Sequence, residues 1–178
     1  MPKGGRLVLV VGPSGVGKDT LIEAAKRLEL SDLRFVRRDI TRPADLGGED
    51  YASISAADFD RREAAGSYAL SWRAHGLSYG VPNSIYEDLS AGQTVIANVS
   101  RAVLPEARGK FADLLIVSVT ASPEIIRARL QARGRESDAE IEGRVARAAE
   151  FLVEGEDVVE LDNDGPREEA VAAFLSLL

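Results

Sequence analysis

Cysteine is absent from the 178 residues, so disulfides and thiolate metal sites are excluded, and the composition suits a reducing cytoplasm. No apolar run approaches the roughly 20 residues that span a bilayer, and the first residues carry no signal-peptide pattern. Basic residues are in the minority: 22 Lys and Arg face 29 Asp and Glu, a net charge of −7, whereas a general nucleic-acid binder is normally basic. Internal repeats, low-complexity tracts and interdomain linkers are missing too. These absences lead us to expect a soluble, cytoplasmic protein, one domain over residues 1–178, with no nucleic-acid and no membrane partner. A phosphorylated small molecule remains a fitting ligand, because a local arginine cluster outweighs a modest net charge.

What is present alternates between two patterns. Arg6 to Val11, RLVLVV, is a short apolar, β-branched run closed by Gly-Pro, as in a buried parallel strand. After a glycine-rich turn, TLIEAAKRLEL places Leu21, Ala24, Ala25 and Leu28 at helical spacing. The alternation returns three times: TVIANV (94–99) before a helical segment at 101–110, LLIVSVT (114–120) before a helix opening at Ser122-Pro123, and DVVEL (157–161) before a helix from Arg167 onward. Strands alternating with helices predict an α/β fold with a parallel sheet covered on both faces. Two stretches break the rhythm: a mixed, Arg- and Gly-rich insert at about 35–82, with a helix opening at a Ser55/Asp58 capping box, and a charged link at 132–140. In an open α/β sheet, ligands collect at the carboxyl ends of the strands, and insertions there tend to become lids.

The glycine-rich turn is GPSGVGKDT, comprising Gly12, Pro13, Ser14, Gly15, Val16, Gly17, Lys18, Asp19 and Thr20. Its glycines let backbone N–H groups converge on phosphate oxygens, the following helix adds its positive end, and Lys18 reaches the terminal phosphates. With a strand before it and a helix after it, the motif predicts an ATP site of the P-loop class. The usual Ser or Thr after the lysine is replaced by Asp19. Either Asp19 complements the helix dipole, or it meets Mg²⁺, which prefers oxygen ligands and is often held by one or two carboxylates plus phosphates. Thr20 is a less well placed alternative ligand.

In FVRRDITRPADLGGEDY (35–51), Arg37, Arg38 and Arg42 crowd into six positions. A solvated charged loop would look the same, but arginine forks match phosphate oxygens bidentately, and the segment lies where an acceptor lid would. The single histidine, His75, is either a turn or surface residue or a contact to a sugar hydroxyl or phosphate. Trp72 suits packing better than stacking on a base. Asn98 ends a strand, where it is either a plain polar terminus or a metal or acceptor contact. Asn163, in the DNDG turn, reads first as a turn former and second as an adenine contact.

GPSGVGK, ITRP followed by GGEDY, SW followed by YG, and RLQARGRES followed by an arginine-studded helix give the chain a resemblance to the guanylate-kinase-like P-loop kinases over nearly its whole length. The resemblance implies a P-loop NTPase fold with an acceptor-binding insert and an arginine lid, and transfer of the γ-phosphate of ATP to an acceptor phosphate with Mg²⁺. The features GKD, FVRR-x-ITRPAD-x-GGEDY, ALSW-x-AHGL-x-YG and NVSRAVL resemble the branch of that family that phosphorylates a bisphosphorylated ribose in phosphonate metabolism. Guanylate kinases typically carry a Glu before the Trp and a Ser or Thr after the YG pair to read guanine. Ser71 and Val81 stand there instead. A hydrogen bond to a charged group contributes about 1.5–3 kcal/mol, so that loss weakens GMP recognition roughly tenfold to a hundredfold. The phosphate-binding features implied by the resemblance, Arg37, Arg38, Arg42, Tyr51 and Tyr79, persist. The expected partners are therefore ATP and a small phosphorylated sugar. The resemblance also singles out, from the arginines at 127, 129, 133, 135, 144 and 147, Arg133 for nucleotide contact and Arg144 for the transferred group, with Lys18 and Arg42 completing the catalytic set. A guanylate kinase and a non-catalytic binding module are the alternatives.

Overall fold

The computed structural model describes residues 4–44 and 49–178. Residues 45–48, which include the glycine pair of the GGEDY motif, lie outside the described residues. The strands are β1 (Leu7–Val11), β2 (Leu33–Phe35), β3 (Asp39–Ile40), β4 (Ala52–Ser53), β5 (Tyr68–Ala74), β6 (Leu77–Pro82), β7 (Thr94–Asn98), β8 (Leu114–Thr120) and β9 (Val158–Asp162). The α-helices are α1 (Lys18–Lys26), α2 (Ala56–Ala64), α3 (Ile85–Ser90), α4 (Leu104–Lys110), α5 (Pro123–Arg133), α6 (Asp138–Ala149) and α7 (Arg167–Leu177), with a 3₁₀ turn at Arg101–Val103.

Five strands form a sheet in the order β2-β7-β1-β8-β9. The β2/β7 and β8/β9 pairs are parallel; the strand–helix alternation predicts this for β8/β9, whereas β2 is a strand it does not pick out, three residues with Arg34 exposed between Leu33 and Phe35. All five side chains of β1 are buried, which is why its sequence is a continuous apolar run and not an alternating one. The chain divides into two compact units: Leu30–Leu114 with the chain up to Val8, and Leu9–Glu29 with Leu115–Leu178.

The first unit contains a second sheet that the sequence pattern does not announce, in the order β4-β3-β6-β5. β5 and β6 form an antiparallel hairpin joined by His75-Gly76, β6 pairs antiparallel with β3, and β3 pairs parallel with β4. Helix α2 lays the buried ring of Phe59 against Tyr68, with centroids 4.8 Å apart. The expected capping box here is only half formed. Ser55 Oγ accepts from the Asp58 N–H at 3.1 Å, while the Asp58 carboxylate pairs with Arg61.

In the second unit, α1 buries Leu21 and Ala25 and ends at Lys26. The helical spacing suggested a longer run, but Glu29 has φ 50° and Leu28 is 51% exposed, so the chain leaves the helix before that leucine can pack. Helices α5 and α6 share a core of Ile126, Leu130, Ile141 and Val145. Gly134 ends α5 in the left-handed region, and a complete capping box of Ser137 and Glu140 starts α6. The link is thus Gly134–Ser137, shorter than the 132–140 read from charge, because Arg133 and Asp138 through Glu140 belong to helical turns.

Candidate active site

The phosphate loop is shaped by contacts within the second unit. Gly17 precedes α1 with φ 93°, and a Cβ there would lie 2.6 Å from Asn163 Nδ2, so any other residue would be both strained and obstructed. A Cβ on Gly12 would sit 2.7 Å from the Val119 carbonyl. The Val16 carbonyl accepts from Asn163 Nδ2 at 2.8 Å and from Arg129 Nη1 at 3.0 Å, and Arg129 Nη2 also donates to the Asn163 carbonyl at 2.5 Å. Lys18 Nζ donates to the Gly12 carbonyl, with the Pro13 carbonyl 3.5 Å away. Asn163 is 7% exposed, and its amide Nδ2 is committed to the loop backbone, a further role that its turn sequence does not suggest. Arg129 is the other residue that sequence reasoning missed. It is one of several arginines in this stretch, and only its hydrogen bonds to the loop distinguish it.

Asp19 and Thr20 are exposed in the first turn of α1, which has no side-chain cap. Among the described residues no group of three or more His, Asp or Glu side chains forms a metal cluster. A single carboxylate at the mouth of a phosphate loop still fits Mg²⁺, which commonly takes one or two protein carboxylates and completes its shell with phosphates and water.

The arginines of α5 and α6 are not equivalent. Arg144 Nη1 donates to Ser14 Oγ at 2.5 Å, which places a guanidinium against the phosphate loop. Its Nη2 lies 3.3 Å from Glu136 Oε1, which also accepts from Arg133. Arg127 instead forms an exposed bidentate pair with Glu142, at 2.6 and 3.1 Å. That pairing holds the Glu142 carboxyl below, and the Arg127 guanidinium above, their ordinary values.

In the first unit the arginine-rich segment is spread over distinct environments. Arg38 is 5% exposed, ion-paired to Glu49, and lies 5.9 Å from the Trp72 ring and 5.5 Å from the Tyr79 ring. Those rings stack on each other 5.2 Å apart with their planes parallel, so Trp72 does pack. Burial pushes the Tyr79 hydroxyl upward, an effect that the nearby Arg38 charge opposes. Arg37 is exposed and donates to Asp50 at 2.9 Å and to the Tyr51 carbonyl at 3.3 Å. Arg42 is half-buried over the Tyr51 ring at 5.6 Å, and the Tyr51 hydroxyl donates to the Pro43 carbonyl. His75 is exposed at the tip of the β5–β6 hairpin with φ 52°, about three residues, or roughly 10 Å of strand, beyond Trp72. The hairpin thus gives His75 a turn position and separates it along the strand from the Arg38–Tyr79 stack. Asn98 is half-buried at the end of β7.

The opposite face of this second sheet meets α2. Asp39, 5% exposed, accepts from Arg62 and from the Tyr68 hydroxyl, both at 2.7 Å, and that phenol is pushed strongly upward by burial and by the neighbouring carboxylate. Ser71, at the position of the guanine-reading Glu, donates to Glu63 at 2.7 Å. The Glu63 carboxylate is also gripped by Arg73 at 2.7 and 3.1 Å, and these hydrogen bonds hold its carboxyl below the ordinary value. Val81 is fully buried.

Comparison with known proteins adds three findings. The family described as an AAA domain matches residues 8–149. The ribose 1,5-bisphosphate phosphokinase PhnN of Pseudomonas paraeruginosa is 49% identical over 98% of this chain and 95% of its own, and that of Acidiphilium cryptum is 53% identical over 100% and 94%. Among solved structures, guanylate kinase from Anaplasma phagocytophilum superposes with a TM-score of 0.70 at 17% identity, covering 99% of this chain and 85% of its own, a likeness of fold alone.

Proposed function

The chain belongs to the ribose 1,5-bisphosphate phosphokinase family, and on that premise we propose that it transfers the γ-phosphate of ATP to the 1-phosphate of ribose 1,5-bisphosphate, giving 5-phosphoribosyl 1-diphosphate and ADP. The donor end is assigned to the second unit. Backbone N–H groups of Gly12–Lys18 and the start of α1 bind the phosphates, and Lys18 exchanges its loop carbonyl for the terminal phosphate oxygens. Arg133 contacts the nucleotide, and Arg144, already against Ser14, covers the moving phosphoryl group. Asp19 would hold Mg²⁺, which neutralises charge on the phosphates when bound.

The acceptor end is assigned to the first unit. Arg42 and Tyr79 serve as the principal phosphate contacts, with Arg37 exchanging Asp50 for an acceptor phosphate. Arg38 and Tyr51 build the surface beneath them, since the first is buried against Glu49 and the second spends its hydroxyl on Pro43. The acceptor oxygen is already anionic, so no general base is needed, and the rate rests on alignment and on charge neutralisation.

The observation that carries the choice of acceptor is the state of the two positions that read guanine in guanylate kinases. Val81 is apolar and buried, and the Ser71 hydroxyl is engaged by a carboxylate that Arg73 already neutralises. The test is ADP release from Mg·ATP with ribose 1,5-bisphosphate and with GMP in parallel. Turnover with the sugar bisphosphate and none with GMP is expected. Turnover with GMP alone would make this a guanylate kinase despite Ser71 and Val81, and silence with both would favour a non-catalytic module.

A further inference from the structure

Glu136 is the only carboxylate in the Gly134–Ser137 link, and its environment is unlike that of its acidic neighbours. Glu140 caps a helix and Glu142 pairs with Arg127, both at the surface. The Glu136 side chain keeps only 8% of its accessibility. Both lid arginines converge on one of its oxygens: Arg133 donates to Oε1, and Arg144 Nη2 lies 3.3 Å from the same atom. The other oxygen, Oε2, is buried and makes no hydrogen bond with any described residue. Burying a carboxylate with half its acceptor capacity unused is costly, so the arrangement is poorly explained by stability.

The geometry of Arg144 indicates what the carboxylate does. One nitrogen, Nη1, reaches Ser14 in the phosphate loop, while Nη2 faces Glu136. Pairing therefore does not draw the guanidinium away from the loop. It anchors one edge of a planar, five-donor group and leaves the other edge at the phosphate site. Arg133, anchored at the same oxygen, is held beside it. We propose that Glu136 is a positioning residue for phosphoryl transfer, a single buried carboxylate that sets Arg133 and Arg144 in one fixed relation to the loop before ATP arrives. The proposal rests on the assignment of those two arginines to ATP made above. Its advantage is that the ordering of two long side chains is completed before the reaction, where misplacement by about 1 Å costs on the order of 10²-fold in rate.

The test combines Glu136→Gln, Glu136→Asp, Arg133→Ala, Arg144→Ala and the Glu136→Gln/Arg144→Ala pair. The readouts are steady-state turnover with Mg·ATP and ribose 1,5-bisphosphate, binding of a non-hydrolysable ATP analogue with Mg²⁺, and thermal midpoints. Glu136→Gln is expected to lower kcat by about tenfold to a hundredfold, with a smaller change in acceptor KM, and Glu136→Asp to recover part of the loss. In the Arg144→Ala background the Gln substitution is expected to cost far less than it does alone. Wild-type kcat in Glu136→Gln, tighter analogue binding because the carboxylate competes with phosphate, or the same loss with and without Arg144 would each overturn the proposal. If Glu136→Gln does not fold, the Asp variant decides: unchanged kcat and no coupling to Arg144 would overturn it equally. Full turnover in both arginine variants would remove the parent assignment, and the role of Glu136 with it, and is distinguishable because the arginine variants themselves report it.

Discussion

Arginine is used in different ways in the two units. Around the phosphate loop, guanidinium groups reach backbone and hydroxyl oxygens of the loop itself, Arg129 at Val16 and Arg144 at Ser14. In the unit that contains the second sheet, Arg37 and Arg38 lean on Asp50 and Glu49, and Arg38 and Arg42 lie over aromatic rings. On the proposed donor side, the arginines reach the loop that shapes the site, and Arg144 is also held by Glu136. On the proposed acceptor side, carboxylates keep the arginines ordered, and the proposal has an incoming phosphate replace the exposed Asp50 more readily than the half-buried Glu49.

That contrast can be broken most sharply at Arg144. Arg144→Ala is expected to lower kcat by about 10³-fold or more, as for an arginine that meets a transferring phosphoryl group, with little change in acceptor KM, both read from steady-state kinetics. A change confined to acceptor KM would place Arg144 on the wrong side of the comparison. Next in size is Arg38→Leu. Removing the buried guanidinium leaves the half-buried Glu49 without it and is expected to cost about 2 kcal/mol of stability in urea unfolding, while an exposed pair such as Arg37–Asp50 contributes about 0–1 kcal/mol. Equal costs would show that burial does not separate the two arginines. Arg42→Lys keeps the charge and loses the fork, and should raise acceptor KM about tenfold while leaving ATP KM and the thermal midpoint near wild type.

The smallest expected effect concerns pH. The Glu63 carboxyl is held below its ordinary 4.5 chiefly by hydrogen bonds from Arg73 and Ser71. A carboxyl with a depressed folded pKa stabilises the protein above its unfolded value and loses that contribution as pH falls through the folded one. Stability of Glu63→Gln should therefore decline less steeply with acidification below about pH 4.5 than that of wild type, in unfolding measurements across pH 3–7. Parallel curves would mean that the Arg73 pair is too exposed to matter.

The contrast also explains what could be read from the sequence. The loop from Gly12 to Lys18 is local: its glycines, its lysine and its flanking strand and helix are contiguous, and the parallel β8/β9 pair follows from the apolar runs that build it. The second sheet is not local. β3 and β4 are two residues each, and their partners are set by tertiary pairing that no periodicity encodes. Arg37, Arg38 and Arg42 were recognisable by type and crowding. Their unequal burial was not, because Arg38 is covered by Trp72 and Tyr79, more than 30 residues away along the chain. Arg129 and Asn163 escaped for the same reason, since each serves Val16 from more than 100 residues off. Glu136 offered a faint signal, an acidic residue three positions after Arg133 in a link otherwise without one.

The double hold on Val16 has a consequence for how the loop opens. Its carbonyl is tied to Arg129 on α5 and to Asn163 just after β9, and Asn163 N–H in turn donates to the Thr120 carbonyl at the end of β8 at 2.8 Å. An unanchored glycine-rich turn flickers open on its own. Here its release requires parting from two elements at once, so its amide protons should exchange with solvent on the timescale of the whole β8–β9 edge and not on that of a surface turn.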